Sequence, residues 1–145
     1  MTLVLSPALQ AALRSSGEAA YPEEGAGLIL GQIEGQRRRA QRLLALPNRS
    51  PEDSRARRYQ LDPRDLLRAE DEAERQGMEI LGVYHSHPDH PARPSETDRE
   101  LALPWYCYVI TSIEHGRADE STAWRLADDH SRFEPFAIEV DSQGG

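Results

Sequence analysis

Apolar and polar residues follow one another along the chain in patterns that predict strands and helices in mixed order. Apolar runs rich in branched and aromatic residues predict strands at 3–5, 26–31, 38–46, 59–61, 79–84, 105–113, 123–127 and 136–140. Ser6-Pro7 and Asp62-Pro63 predict helix starts, because a polar cap before a first-turn proline is typical of helix N-termini. We expect these helices to end near Ala20 and before Gly77, and a third, short helix to follow Ser95.

This mixture of elements predicts a fold class. A chain of 145 residues fits a single domain. Strands mixed with helices predict an α/β or α+β domain of three layers, in which helices flank a central mixed sheet. The sheet is not purely parallel, because Glu34-Gly35 is typical of a hairpin turn. We expect the domain to span residues 1–140 and residues 141–145 to form a flexible tail.

Composition narrows the cellular setting. The single cysteine, Cys107, excludes an intramolecular disulfide and a multi-cysteine zinc site, and it fits a reducing cytosol. No apolar run reaches membrane-spanning length, and the first residues lack a signal-peptide pattern. We therefore expect a cytoplasmic protein that does not bind membranes.

Charge argues against nucleic acid as a partner, because the formal net charge is −8. The distribution is uneven, since residues 37–58 contain eight of the 17 basic residues, all of them arginine, and only two acids. This segment could dock an acidic protein, although a solvated surface is the simpler interpretation.

The strongest chemical signal lies where the strand 79–84 continues into His85-Ser86-His87. Side chains alternate along a strand, so His85 and His87 are expected on one face and Ser86 on the other. Prolines at 88, 91 and 94 stiffen the loop that follows. Two imidazole groups are therefore predicted to converge at the end of a buried strand.

A carboxylate is predicted to join them. Ser95 is a good N-cap, and Asp98 lies in the first turn of the helix, from which its side chain can return towards the strand end. Two histidines and one carboxylate suit a catalytic zinc ion with one open position for water, so we predict one zinc per chain bound by His85, His87 and Asp98. A plain capping box is the alternative interpretation of Ser95 and Asp98.

A zinc-bound water also needs a general base. Glu24 is the best candidate because it stands at the entrance of the strand 26–31. Composition alone leaves Glu23 and Glu34 as rivals.

These residues resemble a known motif. The JAMM or MPN+ metallopeptidases carry His-(Ser/Thr)-His, seven residues, Ser, two residues and Asp, and the segment 85–98 matches this without a gap. Residues 22–28 are similar to the upstream Pro-x-Glu-x-Cys-Gly-Leu element of bacterial members, with Ala26 in place of the cysteine. That register selects Glu24. The resemblance covers most of the chain and implies the MPN fold, a cytidine-deaminase-like arrangement.

The resemblance implies a role for each matched residue. His85, His87 and Asp98 would bind zinc, Glu24 would carry a proton from water to the leaving amine, and Ser95 would donate to the oxyanion. It also implies cleavage of amide or isopeptide bonds after the C-terminal diglycine of a ubiquitin-like protein.

The expected partner follows from the chain's compactness. Eukaryotic deubiquitinating members carry an insertion after the zinc-binding aspartate, whereas here Trp105 follows Asp98 by seven residues. The chain thus resembles small bacterial or archaeal members that process β-grasp sulfur carriers with a C-terminal Gly-Gly. The oligomeric state is left open, a homodimer included.

Three alternatives remain. A RadC-like zinc hydrolase would share the scaffold, but its loop begins His-Asn-His-Pro. A non-catalytic module that binds ubiquitin-like proteins would share the fold, although such relatives usually lose ligands. A thiol hydrolase would use Cys107, which lies in a predicted core strand where cysteines are usually inert.

Overall fold

A computed structural model describes residues 1–141, which contain seven strands and three α-helices. The elements are β1 (Thr2–Leu5), α1 (Pro7–Ala20), β2 (Ala26–Glu34), β3 (Arg37–Leu46), α2 (Pro63–Arg75), β4 (Glu79–Pro88), α3 (Glu96–Leu101), β5 (Cys107–Glu114), β6 (Arg117–Leu126) and β7 (Phe133–Val140). The predicted helices are all present, and both proline-started helices have their expected caps, Ser6 and Asp62. No helix among these residues is long and apolar enough to cross a membrane.

Two strand predictions need correction. Residues 59–61 form no strand, because the backbone of Gln60 bonds to a loop: its N–H donates to Asn48 Oδ1 at 3.2 Å, and its carbonyl accepts the Arg49 N–H at 2.8 Å. The strand predicted at 123–127 begins at Arg117, since its polar first half pairs with β5 through backbone groups that need no apolar side chains. The sequence predicts a flexible tail at residues 141–145, and residues 142–145 lie outside the described residues. Asp141 is described, and its backbone N–H donates to the Leu5 carbonyl at 2.8 Å.

The sheet is mixed, as predicted, but it is closed. The strand order is β1-β3-β2-β4-β5-β6-β7, and the four-residue strand β1 pairs with both β3 and β7. The pairs β1/β3, β1/β7 and β4/β5 are parallel, and the others are antiparallel. Closure was not predicted, because an apolar run as short as Leu3-Val4-Leu5 carries no signal about its partner strands.

The helices lie on the two faces of this sheet and produce two apolar cores. Leu13 of α1 packs with Ile29, Leu81 and Val109 in the first core. Ala69 and Ala73 of α2 belong to the second core, together with Leu28, Leu30 and Val83 of β2 and β4. The alternation along β2 from Leu28 to Leu30 therefore buries both faces of the strand, which explains its nearly continuous apolar sequence.

A β-bulge in β4 decides which face the later residues of that strand occupy. Ile29 pairs with Gly82 and Leu30 pairs with Ile80, so Leu81 is an extra residue opposite β2. Gly82 is required here, because a Cβ at this position would overlap the Cys107 carbonyl of β5. Beyond the bulge, odd-numbered positions face the α2 side, starting with Val83.

Buried Arg38 holds this bulge. Its guanidinium group donates hydrogen bonds to the carbonyls of Leu81 at 2.7 Å and Trp105 at 3.0 Å, and it lies 5.3 Å from the centre of the Phe136 ring.

Cys107 is buried nearby, and its burial raises the pKa of the thiol to about 11. The thiol is therefore protonated at neutral pH, which argues against a thiol hydrolase.

We expect Arg38→Met to lower the free energy of unfolding by about 2–4 kcal/mol, because two buried carbonyls lose their donor. Urea unfolding measures this change. Arg37→Met is the matched control: Arg37 forms an exposed ion pair with Glu139, and its loss should change stability little. Equal effects of the two substitutions would contradict the anchoring role of Arg38.

Candidate metal centre

Four buried side chains meet at the end of β4. Glu24, His85, His87 and Asp98 each offer one ligand atom, and these atoms lie within 4.8 Å of one another. They come from the segment before β2, from the end of β4 and from the first turn of α3. The structure thus brings together the four residues that the sequence singled out as ligands and base, and the group could bind a metal ion.

Ser86 connects the two histidines to the segment that carries Glu24. Its side chain lies on the opposite face of β4, as predicted, and its hydroxyl oxygen accepts the Gly25 N–H at 2.8 Å. The Ser86 backbone N–H donates to the Gly25 carbonyl at 3.0 Å. The Glu24 backbone is held as well, since its N–H donates to the Arg55 carbonyl at 2.7 Å and its carbonyl accepts from Asn48 Nδ2 at 3.1 Å. Glu24 is thereby fixed beside the strand end.

The hydrogen bonds of the imidazole groups determine where their lone pairs point. His85 Nδ1 lies 3.2 Å from Glu24 Oε1, and His87 Nδ1 lies 3.0 Å from the Pro91 carbonyl oxygen. A carbonyl oxygen and an ionised carboxylate only accept hydrogen bonds, so both Nδ1 atoms donate. In a neutral imidazole the Nε2 atom then has no proton. Both Nε2 atoms face Asp98, at 3.8 Å from Oδ1 for His85 and 3.1 Å from Oδ2 for His87.

This arrangement leaves acceptors facing acceptors. Buried His85 Nε2 has no hydrogen-bond partner among the described residues, and the Asp98 carboxylate has nothing to accept from a neutral His87 Nε2. A cation between them removes the conflict. Two imidazole nitrogens and a carboxylate oxygen are a donor set that suits zinc, so the residues present fit that ion.

Without a metal ion, a proton is the available cation, and the pKa values reflect this. Burial opposes ionisation of Asp98, but the hydrogen bond from His87, the attraction of His85 and the Ser95 N–H together lower the pKa of its carboxyl to about 2. Burial likewise opposes a charge on His87, but the hydrogen bond to Asp98 and its negative charge raise the pKa of that imidazole.

The proline-containing loop is held in place by β5 and β6. Ser112 Oγ donates to the His90 carbonyl at 2.7 Å, and Thr122 Oγ1 donates to the Ala92 carbonyl. These bonds flank Pro91, whose carbonyl accepts from His87 Nδ1. The loop therefore orients His87 through its backbone. The His90 side chain is exposed and lies outside the four-residue group.

Ser95 is the N-cap of α3 and completes a capping box with Asp98. The Ser95 hydroxyl oxygen accepts the Asp98 N–H at 3.0 Å, and the Ser95 N–H donates to Asp98 Oδ2 at 2.8 Å. A hydroxyl group that accepts at its oxygen retains its own proton for donation. Capping and donation to an oxyanion are thus compatible, and the catalytic role of Ser95 stays a prediction.

Tyr59 was not recognised from the sequence as part of this region. Its ring stacks on the His85 ring with centroids 4.3 Å apart. Burial, together with the nearby Tyr108 and the carboxylates Asp98 and Glu24, raises the pKa of the phenol well above its usual value. The only sequence signal is an aromatic residue shortly before the Asp62 cap, where the pattern predicts a strand.

Two cavities lie near the centre, and residues of the centre line the first of them. One, of about 280 Å³, is lined by Glu24, Arg57, His87, His90, Pro91, Arg93 and Ser95. The other, of about 220 Å³, lies on the α2 side, and its mainly apolar wall includes Tyr59, Leu66, Leu103 and Tyr108. The candidate centre is therefore reached from a surface depression, as a substrate-binding site requires.

The fold and this centre define a class of protein, the small mixed α/β domains that can hold a metal ion where a strand ends beside a helix start. Within this class, the family model "Prokaryotic homologs of the JAB domain" matches residues 6–127. The chain belongs to this family, and the resemblance to JAMM or MPN+ proteins is confirmed.

Individual relatives agree with this assignment. A probable TtuB-protein conjugate cleaving protease of Thermus thermophilus is 41% identical over 97 residues, which are 67% of this chain and 61% of that protein. A desampylase of Pyrococcus furiosus is 34% identical over 70 residues, 48% of each chain. The chain thus spans about half to three fifths of the length of these curated relatives.

Solved structures support the fold. The solution structure of a Salinibacter ruber protein matches with a TM-score of 0.75 and 42% identity, over 97% of this chain and 92% of that one. A JAB1/MPN domain protein from Archaeoglobus fulgidus has a TM-score of 0.56 at 19% identity, over 97% of this chain and all of that one, and shows the same fold. The likeness to cytidine deaminases stays a prediction.

We expect the metal-free protein to lose stability as the pH rises above about 6.5, the unperturbed pKa of histidine. The pKa of His87 is raised in the folded state, so its contribution is complete below the unfolded pKa and is lost as the pH passes through the folded pKa. Urea unfolding across this range measures the decline. His87→Gln should flatten it, and saturating zinc should remove it by replacing the proton.

His90→Gln is the control for that experiment, because this imidazole is exposed and outside the centre. It should keep the pH dependence of the original protein. If His87→Gln and His90→Gln have equal slopes, the His87–Asp98 pair is not the source of the decline.

Proposed function

We propose that this chain is a zinc-dependent peptidase or isopeptidase that hydrolyses the amide bond after the C-terminal diglycine of a ubiquitin-like or sulfur-carrier protein. One observation carries this proposal: two buried imidazole groups direct their Nε2 atoms at the Asp98 carboxylate, with the Glu24 carboxylate beside them. Burying such a group of hydrogen-bond acceptors is energetically costly unless a cation binds between them.

His85 Nε2, His87 Nε2 and an Asp98 oxygen would hold the zinc ion. Zinc bound there would supply Lewis acidity, which polarises a scissile carbonyl and brings the pKa of water to around 7. The Nδ1 bonds to Glu24 and Pro91 would keep both imidazole groups in the tautomer that this requires.

Glu24 is the proposed general base. Its carboxylate is buried, lies within the four-residue group and lines the cavity through which a substrate would enter. It would accept a proton from the attacking water at a carboxylate oxygen and donate it to the departing amine nitrogen. General acid–base transfer of this kind typically accelerates reactions by about 10²–10⁴-fold.

Ser95 is the proposed oxyanion donor. Its side chain lines the same cavity as Glu24, and its hydroxyl proton is not used in the capping box. A donor aimed at the carbonyl oxygen as it becomes negative stabilises the transition state by about 3 kcal/mol.

The proposed substrate follows from the relatives and from the shape of the domain. The Thermus relative is named for cleaving conjugates of TtuB, and the Pyrococcus relative is named a desampylase. In this chain α3 ends at Leu101 and β5 begins at Cys107, so no inserted segment follows Asp98. A diglycine tail suits a narrow approach, because glycine allows a backbone to pass close to the catalytic groups.

Other properties remain predictions. Cytoplasmic location, a β-grasp sulfur carrier as partner and the oligomeric state, a homodimer included, rest on the sequence and its resemblance. A non-catalytic module that binds ubiquitin-like proteins and a RadC-like zinc hydrolase remain the alternatives, and the experiments below separate them.

We expect Glu24→Gln to bind one zinc ion per chain and to cleave a diglycine-linked β-grasp fusion at least about a hundredfold more slowly. The amide keeps an oxygen that accepts from His85 Nδ1 but cannot take a proton from water. Zinc stoichiometry is measured by atomic emission and cleavage by mass spectrometry. Glu23→Gln is the matched control, since its side chain is outside the centre, and it should keep activity.

Chelation divides the alternatives. Cleavage that survives complete removal of metal would reject a metallopeptidase. Chelator-sensitive zinc binding without cleavage of a diglycine conjugate would favour the binding module, and cleavage of only unrelated substrates would favour the RadC-like hydrolase.

We expect Ser95→Ala to lower kcat by about 10²–10³-fold through loss of an oxyanion donor, with zinc still bound. The substitution also removes a helix cap worth about 1 kcal/mol. Ser6→Ala separates the two effects, because Ser6 caps α1 by accepting the Leu9 N–H at 3.1 Å. If both variants lose stability and neither loses kcat, Ser95 is only a cap.

A further inference from the structure

Most arginine side chains of this protein are engaged with carboxylates or carbonyls, and the exceptions are informative. Of the 17 arginines, four have no side-chain hydrogen bond or ion pair among residues 1–141, namely Arg57, Arg58, Arg93 and Arg117. Two of these, Arg57 and Arg93, line the cavity beside Glu24, His87 and Ser95. Both are exposed. Unpartnered guanidinium groups are thus present at the mouth of the candidate centre.

The cavity has a local charge opposite to that of the whole chain. The protein carries a net charge of −8, but Glu24 is the only acidic residue in the cavity lining, and its carboxylate is engaged by His85 Nδ1. The two guanidinium groups therefore face the opening without a neutralising carboxylate. Charge of one sign in a cleft concentrates the field there and attracts ligands of the opposite sign.

The type of cation defines the ligand. A guanidinium group is weakly hydrated and presents paired N–H donors that match the two oxygens of a carboxylate. Arg57 follows the short 3₁₀ turn Glu52–Ser54, and its backbone N–H donates to the Ser54 carbonyl at 3.1 Å. The Arg93 backbone N–H donates to the Pro91 carbonyl at 2.8 Å, next to a loop held by β5 and β6. Both side chains therefore project from positioned backbones.

We propose that Arg57 and Arg93 are specificity-determining residues that bind a carboxylate of the substrate close to the scissile bond. This inference rests on the proposed function, and it narrows the substrate class to conjugates with an acidic side chain beside the diglycine junction. The carboxylate belongs either to the tail of the ubiquitin-like protein or to the acceptor chain. Both sources have the same chemistry, and the experiment has an arm for each.

The first experiment compares cleavage of matched substrates by the zinc-loaded protein. One pair of β-grasp fusions carries Glu or Gln two residues before the diglycine, and a second pair carries Glu or Gln on both sides of the acceptor lysine. We expect kcat/KM to be about tenfold higher for the Glu form of one pair, the size of effect that a single charge-assisted contact supplies. Equal kcat/KM values within both pairs would overturn the inference.

Arginine variants test whether these two residues cause the preference. Arg57→Gln with Arg93→Gln should abolish the preference, so that kcat/KM for each Glu substrate falls to the value for its matched Gln substrate. The matched control is Arg58→Gln with Arg117→Gln, which removes the same charge from two unpartnered arginines outside the cavity. If both double variants lose the preference for Glu substrates equally, the preference comes from the net charge of the protein, and the assignment to Arg57 and Arg93 is overturned. Arg57→Lys with Arg93→Lys should keep only part of the preference, because lysine lacks the paired donors.

A binding experiment does not depend on turnover. Metal-free Glu24→Gln protein is titrated with fluorescein-labelled Gly-Gly peptides that carry the same Glu or Gln residues, and fluorescence anisotropy is measured. We expect a Glu peptide to bind more tightly than its Gln partner, and we expect the Arg57/Arg93 double variant to lose this difference. This result supports the inference even if no conjugate is cleaved. The experiment therefore distinguishes failure of the inference from failure of the proposed function. Equal binding of Glu and Gln peptides would overturn it.

Discussion

The structure depends on one electrostatic conflict: a buried carboxylate, Asp98, faces the lone pairs of two imidazole groups, and all of these groups are hydrogen-bond acceptors. Both Nδ1 atoms donate elsewhere, so the Nε2 atoms of His85 and His87 meet Asp98 as acceptors. A folded core does not tolerate such an arrangement without a cation. The pKa of Asp98 is lowered and that of His87 is raised, which shows that the same geometry attracts a proton when no metal is present.

The rest of the domain maintains this arrangement. The bulge at Leu81 and Gly82, with Arg38 donating to the Leu81 carbonyl, places the odd-numbered residues of β4 from Val83 onwards on the α2 side. Ser86 then uses the other face of the strand to hold the segment of Glu24. One strand therefore positions two candidate ligands and the candidate base, because its two faces perform different tasks.

Asp98 and Ser95 show that a helix-capping role and a role in the candidate site are compatible. The capping box is fully formed, yet Asp98 Oδ1 still faces His85, and Ser95 still has a hydroxyl proton for donation. The capping bonds fix the carboxylate in the orientation that a metal ion would need. A helix start is thus well suited to supply a ligand, since its own backbone orients the side chain.

Several features were predictable from the sequence because they depend on local rules. Side-chain alternation placed His85 and His87 together, cap chemistry located the helix starts, and the family motif selected Glu24 over Glu23. Other features depend on contacts between distant segments. Closure of the sheet through β1, the stacking of Tyr59 on His85, and the presence of Arg57 and Arg93 in the lining of one cavity left no periodic signal in the chain.

The sequence by itself determined which residue types are available for chemistry and which face of a strand or turn of a helix each one occupies, since backbone geometry repeats at fixed periods. Tertiary structure decided which groups from other segments those residues face. Only packing shows that two lone pairs face one carboxylate, that burial makes this costly without a cation, and that two unpartnered guanidinium groups lie at the opening. Those properties come from burial and long-range contacts, which arise when separate segments exclude water together.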